Sequence, residues 1–210
     1  MLATSLYLIV ILTSFIAILE IVKKKKMRFP SATLFLCVCL GVCLIAQSIH
    51  PELLLQFERN TLEVQGGQWW RIFTALFFQD GGVSGGLYNI FFLALIGVFT
   101  ERMWKRSHWL LIYFGTGLIA ECVALSWQPI GAGNSIAVFG LAASALSYTL
   151  FKKVSGRASV FADIAAFAAL GLVLLGDIHG AAYFIGAVVS LLIIIILLIQ
   201  SNNKTNQKTS

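Results

Sequence analysis

IGAGNSIAVFG, residues 130–140, sets two glycines and an Asn-Ser pair directly ahead of about one membrane span of Ala, Leu, Phe and Ser. The glycines suit a loop tip, since a residue without Cβ lets the backbone turn and approach a neighbour closely. Ser135 falls where the following helix has to begin. Whether that helix lies in water or in lipid decides the fold. Of the 210 residues, 59% are hydrophobic and 11% charged, with a mean hydropathy of +0.88. A soluble domain carries about a quarter charged residues. So apolar a chain cannot hide its surface in a water-soluble core, and the reading is an all-α membrane protein, a polytopic helical bundle.

Seven apolar runs are legible, at about 4–22, 31–49, 86–104, 108–127, 134–151, 159–176 and 179–199. Each is near the ~20 residues needed to cross the hydrocarbon core. The tail 201–210, SNNKTNQKTS, is polar and expected to be disordered. The first run has no positive segment ahead of it, and its charges, Lys23–Lys26, follow it. That fits a retained anchor with its N-terminus outside.

Basic residues set the orientation. With Lys23–Lys26 and Arg28 cytoplasmic, so are Arg102, Lys105, Arg106, Lys152, Lys153, Arg157, Lys204 and Lys208, making 13 of the 15. Only Arg59 and Arg71 remain outside. The chain therefore reads N-terminus out, C-terminus cytoplasmic. The same distribution accounts for the net charge of +6 without a nucleic-acid partner. Cys37, Cys39, Cys43 and Cys122 sit inside apolar runs without His or Asp at ligand spacing, so they read as packing residues. No metal or cofactor is implied.

The longest connection, about 50–85, is then extracytoplasmic, yet it contains LLL, WW, IF and LFF. It is expected to lie partly in the outer leaflet and to pack on the bundle, because non-helical backbone at that depth needs protein or water against it. Trp69 and Trp70 suit the interface.

Under this topology the third, fifth and seventh spans run inward, and their outer ends carry Asn89, Ser135 and His179. Each lies within about one turn of its helix start, so the three differ in depth by only ~5 Å. Taken singly, Ser bonds its own backbone and Asn glues helices together. An intramembrane His is costly and points to function unless wetted at the edge.

In order and spacing, nearly all of 31–199 resembles the rhomboid intramembrane serine proteases. QWWRIFTALFF (68–78) looks like the family's Trp-Arg loop motif. Asn89, followed by an apolar helix ending GVFTER (97–102), is similar to its Asn-bearing span. GNSIAVFG (133–140) resembles the Gly-x-Ser nucleophile motif, and His179 with Ala182 and Gly186 resembles the His-x-x-Gly-x-x-x-Gly span. The resemblance implies a six-helix core, 31–200, as the catalytic domain. Residues 1–30 then form an extra N-terminal transmembrane helix and basic loop. It implies a catalytic dyad, with Ser135 as nucleophile and His179 as general base. Asn89 and the Ser135 N–H are expected at the oxyanion, Phe139 against the imidazole, and Gly133 where the loop nears the substrate. The partners it implies are a transmembrane protein substrate and the lipid bilayer, with the site near the extracytoplasmic face.

Three positions depart from the family pattern. Gly85 stands where a His often precedes the Asn by four, Gln79 where a His commonly closes the loop motif, and Ile136 where a Gly usually follows the nucleophile. Asp177 reads as a loop cap, and Glu121 and Asp163 as structural hydrogen-bonding groups without a partner at matching depth. Glu101 with Arg102 is expected to close the inner end of the third span. Ala182, Gly186 and Ser190 face Gly140 and Ser144 as rows of small residues, which should draw the fifth and seventh spans together. The Ala- and Gly-rich sixth span reads as weakly packed and suited to a lateral gate. The function expected is an intramembrane serine endopeptidase. Its rivals are a rhomboid-like binder of membrane clients without activity, and a transporter, for which midplane charges are too few.

Overall fold

The computed structural model describes residues 2–26 and 28–203 in full and the backbone of 204–209. Among the described residues, seven long helices account for the seven apolar runs: α1 (Leu2–Val22), α2 (Ser31–Ile49), α6 (Gly82–Met103), α7 (Arg106–Trp127), α8 (Ser135–Phe151), α9 (Arg157–Leu174) and α10 (Ile178–Thr209). Six of them are long and apolar enough to cross a membrane, and α8 is a shorter apolar helix. The protein is a multi-pass helical membrane protein. Ser201–Asn203, expected to be disordered, continue α10; the rest of that tail lies outside the residues described in full.

Charge and glycine punctuate the helices. Glu101, near the end of α6, accepts from Ala32 N, Thr33 N and Thr33 Oγ1 at 3.2, 3.0 and 2.9 Å, and so caps the start of α2. Arg102 instead donates to the carbonyls of Val22 and Lys25, satisfying the end of α1. The two residues thus close two different helices, where the sequence suggested a pair closing their own. α9 and α10 start after Gly156 (φ +89°) and Gly176 (φ +75°), conformations that favour glycine.

α8 is the centre. Every residue from Ile136 to Ser147 is buried, as expected of a helix apolar all round. Its neighbours α1, α6, α7, α9 and α10 all pack on it. α10 comes closest: a Cβ built on Gly186 would overlap Gly140 Cα. Ser190 Oγ donates to Ser147 Oγ at 2.9 Å on the same seam, whereas Ser144 accepts from Trp104 Nε1 at 3.1 Å. The small-residue rows therefore do bring α8 and α10 together, with Ser147 rather than Ser144 as the hydroxyl facing α10. α2 shows Phe35, Val38, Val42, Ile45 and Ile49 as an exposed stripe at helical spacing, the mark of a lipid face.

The sixth span is not loosely held. α9 buries Ala158, Ala162, Ala165, Ala169 and Leu172, and α1 runs along it. Leu6 of α1 stands so close that a Cβ on Gly171 would lie 3.1 Å from its Cδ1. Small side chains here permit close packing rather than slack. α1 also touches α6 and α8, so it fills the groove between α6 and α9.

The 50–81 connection folds into short helices α3 (Glu52–Phe57), α4 (Thr61–Gln65) and α5 (Arg71–Thr74), with strand β1 (Arg59–Asn60). β1 pairs antiparallel with β2 (Ile130–Gly131), the loop that leads into Ser135. Arg71, buried, ties this segment together by donating to Leu55 O at 2.8 Å, Glu58 O at 3.0 Å and Gln68 Oε1 at 2.7 Å. Trp69 and Trp70 stay more than half exposed. Arg59, the other basic residue at this end, forms a buried ion pair with Glu121. Glu121 thus has the partner that the sequence did not reveal, supplied by a loop rather than a span.

Candidate active site

Ser135 is the first residue of α8. At 1.5 Å per residue, its 17 residues span roughly 25 Å, short of a ~30 Å hydrocarbon core. At least one of its ends then stops short of the membrane surface, and chemistry at Ser135 requires a path for water and substrate. A cavity of about 190 Å³ reaches it, flanked by Leu8 and Ile11 of α1 and Tyr88 and Phe92 of α6. A second, of about 80 Å³, lies on the loop side against Arg59, Glu121 and Ile136.

The starts of α8 and α10 bring Ser135 Oγ to 2.8 Å from His179 Nε2. The sequence spaced these residues 44 apart; the Gly140–Gly186 seam, one or two turns below, makes the meeting possible. With the ring proton on Nδ1, Nε2 is free to accept the serine proton. Phe139 packs its ring 5.2 Å from the imidazole at 66°, as the sequence suggested.

Asn89 is half-buried on α6, and its Nδ2 donates to Gln79 Oε1 at 2.7 Å. Gln79 is fully buried. Its Nε2 donates to Asn134 Oδ1 at 3.2 Å, and its backbone N–H and C=O are clamped by Gln47 at 2.9 and 2.7 Å. The glutamine that departs from the family motif thus orients the Asn89 amide. Gly133 completes the wall. A Cβ there would lie 3.4 Å from Ser135 Oγ and 3.5 Å from both Asn89 Nδ2 and Gln79 Oε1. The glycine leaves open the point on which these three groups converge, and its φ of +153° disfavours any side chain. Gly85 has open space where a Cβ would be.

Asp177 does more than cap. Its Oδ1 accepts from His179 N at 2.9 Å, the expected capping bond, and also lies 2.8 Å from His179 Nδ1. Burial opposes its ionisation, but the hydrogen bonds and charge of His179 and the hydroxyl of Tyr7 outweigh it, holding the carboxyl at about 2. Tyr7, on α1, donates to Asp177 Oδ2 at 2.5 Å, and its oxygen is 2.7 Å from His179 Nδ1. Its ring stands edge-on to His179 at 4.7 Å and to Phe139 at 5.5 Å. Sequence reasoning missed Tyr7 because α1 was set aside as an addition. The signal was there: α1 runs the same way as α6, α8 and α10, and Tyr7 lies less than two turns from its start.

Residues 66–200 match the family model described as the Rhomboid domain. The chain belongs to the rhomboid family. Over 131 residues this rhomboid protein is 29% identical to "Putative rhomboid protease YdcA" of Bacillus subtilis (strain 168). The alignment covers 60% of this chain and 65% of that relative, somewhat less than two thirds of its length. Ser135, His179, Asn89 and Gln79 all fall within the rhomboid match, whereas Tyr7 lies well ahead of it. The part of the site that α1 contributes is thus outside what the family model describes.

Proposed function

We propose that this rhomboid is an intramembrane serine endopeptidase that cuts a peptide bond of another membrane protein near the extracytoplasmic face. Its N-terminus would lie outside and its C-terminus in the cytoplasm, as the basic residues indicate. The observation that carries the reading is the 2.8 Å approach of Ser135 Oγ to His179 Nε2 at the floor of a cavity between helices. His179 takes the serine proton as Oγ attacks the scissile carbonyl, then returns it to the leaving amine. The Asn89 amide and the Ser135 N–H, at a helix start where the dipole is favourable, bind the oxyanion. A transmembrane substrate approaches between α1 and α6, where Leu8 and Tyr88 line the cavity and are exposed. It must unwind locally, because a helix keeps its carbonyls in its own hydrogen bonds.

A second reading, a client-binding rhomboid without activity, draws on Gly85, which puts no side chain beside the oxyanion position. A fluorophosphonate probe separates the two. The proposal expects labelling of the wild type and none of Ser135→Ala; an unlabelled wild type, beside a labelled active rhomboid, favours client binding.

A further inference from the structure

We infer that Tyr7 and Asp177 are positioning residues for the His179 imidazole, so that the helix preceding the family domain is part of the reaction machinery. The inference rests on the Ser135–His179 reading above and goes beyond a dyad. A base that serves Ser135 through Nε2 must carry its ring proton on Nδ1. Nothing in an isolated imidazole secures that tautomer or holds the ring plane. Asp177 Oδ1, 2.8 Å from Nδ1, is an acceptor that does both.

A carboxylate on a turn can swing, and the hydrogen-bond pattern shows what stops it. Oδ1 accepts from His179 N at 2.9 Å, while Oδ2 accepts from Tyr7 at 2.5 Å. Both oxygens are tied, one by the start of α10 and one by α1. Because the phenol proton points to Asp177, a lone pair of the Tyr7 oxygen is left toward Nδ1, 2.7 Å away, and shares its proton. The imidazole is thereby fixed from one side by two oxygens and from another by the Phe139 ring.

The proton count stays simple. The Ser135 O–H bond breaks and an Nε2–H bond forms as Oγ bonds to the carbonyl carbon, whose π pair moves to oxygen. That proton then passes to the leaving nitrogen. Nδ1 keeps its proton, Asp177 stays a carboxylate and Tyr7 stays a phenol; they balance the transient imidazolium charge without receiving a proton. The charged and titratable groups around the ring are Asp177 on the turn before α10, Tyr7 from α1 and Ser135 from α8. Arg59, Asp80 and Glu121 line the small cavity on the loop side, the first and last of them paired.

The test uses the full chain in detergent or vesicles. It measures kcat and KM for a fluorogenic transmembrane substrate at neutral pH, with melting temperature as the check on folding. Tyr7→Phe keeps the ring between His179 and Phe139 and deletes only the hydroxyl. It is expected to lower kcat about 3- to 10-fold, the worth of one hydrogen bond, with KM unchanged. Asp177→Asn is expected to lower kcat by ~10²–10⁴ with KM unchanged. In the Asp177→Asn background, Tyr7→Phe should cost less than in the wild type, since part of what the hydroxyl does is done through the carboxylate. Unchanged kcat in Tyr7→Phe, or losses that simply multiply, overturn the inference. Activity abolished by Ser135→Ala but indifferent to positions 7 and 177 sinks this inference alone. An inactive wild type sinks the protease reading and this inference with it.

Discussion

Tyr7 and Asp177, 170 residues apart in the chain, share a 2.5 Å hydrogen bond beside the His179 ring. That bond joins the first helix, which precedes the matched rhomboid domain, to the turn that begins the last. It ties the integrity of the site to the ionisation of one carboxylate.

The pH dependence of folding should report this carboxylate. Its ionisation lies at about 2 in the folded protein against an ordinary 3.8. A depressed carboxylate contributes stability that is complete above the unfolded value and is lost as pH falls through the folded one. The melting temperature should therefore hold steady down to about pH 4 and then drop toward pH 2 more steeply in the wild type than in Asp177→Asn. Parallel curves for the two proteins contradict this.

The wall around Gly133 gives a graded set of rate losses. Asn89→Ala should cost about 10²–10³ in kcat, the usual effect of removing one oxyanion donor. Gln79→Ala leaves that donor present but untethered, and should cost less. Gly133→Ala sets a methyl between Ser135 Oγ and the Asn89 amide and should stop cleavage most completely. Steady-state kinetics ranks the three, and wild-type kcat in Gln79→Ala would deny Gln79 its orienting role.

The α8–α10 seam should tolerate no added carbon. Gly186→Ala drives a methyl into Gly140 Cα, an overpacking expected to cost about 1–3 kcal/mol and to spread Ser135 from His179. Gly115→Ala makes only an ordinary 3.7 Å contact with Val189 and should be neutral or slightly stabilising, alanine being the better helix former. Thermal denaturation of both variants checks the contrast.

The Arg59–Glu121 pair should matter as a pair. Both side chains are almost fully buried, so Arg59→Met strands a carboxylate and should cost about 3–5 kcal/mol. Adding Glu121→Leu should recover much of that loss. Equal stability of the single and double variants would mean that the Arg59 contact carries no charge compensation.

Much of this molecule could be read along the chain. Hydrophobic run length set the number of long helices, because lipid demands about 20 apolar residues with every backbone group bonded internally. Shared depth then picked out Asn89, Ser135 and His179 on three helices running the same way. Depth is a one-dimensional property, and a sequence carries it.

Lateral neighbourhood is not. Which helix stands beside which depends on close fit across faces, and apolar runs of similar composition look alike in that respect. That α1 lies in the groove between α6 and α9, that Glu121 meets Arg59 from a loop, and that Glu101 caps a different helix from its own were all decided by three-dimensional packing. Tyr7 had the right depth from the start; only the placing of its helix against α8 and α9 made it a neighbour of His179.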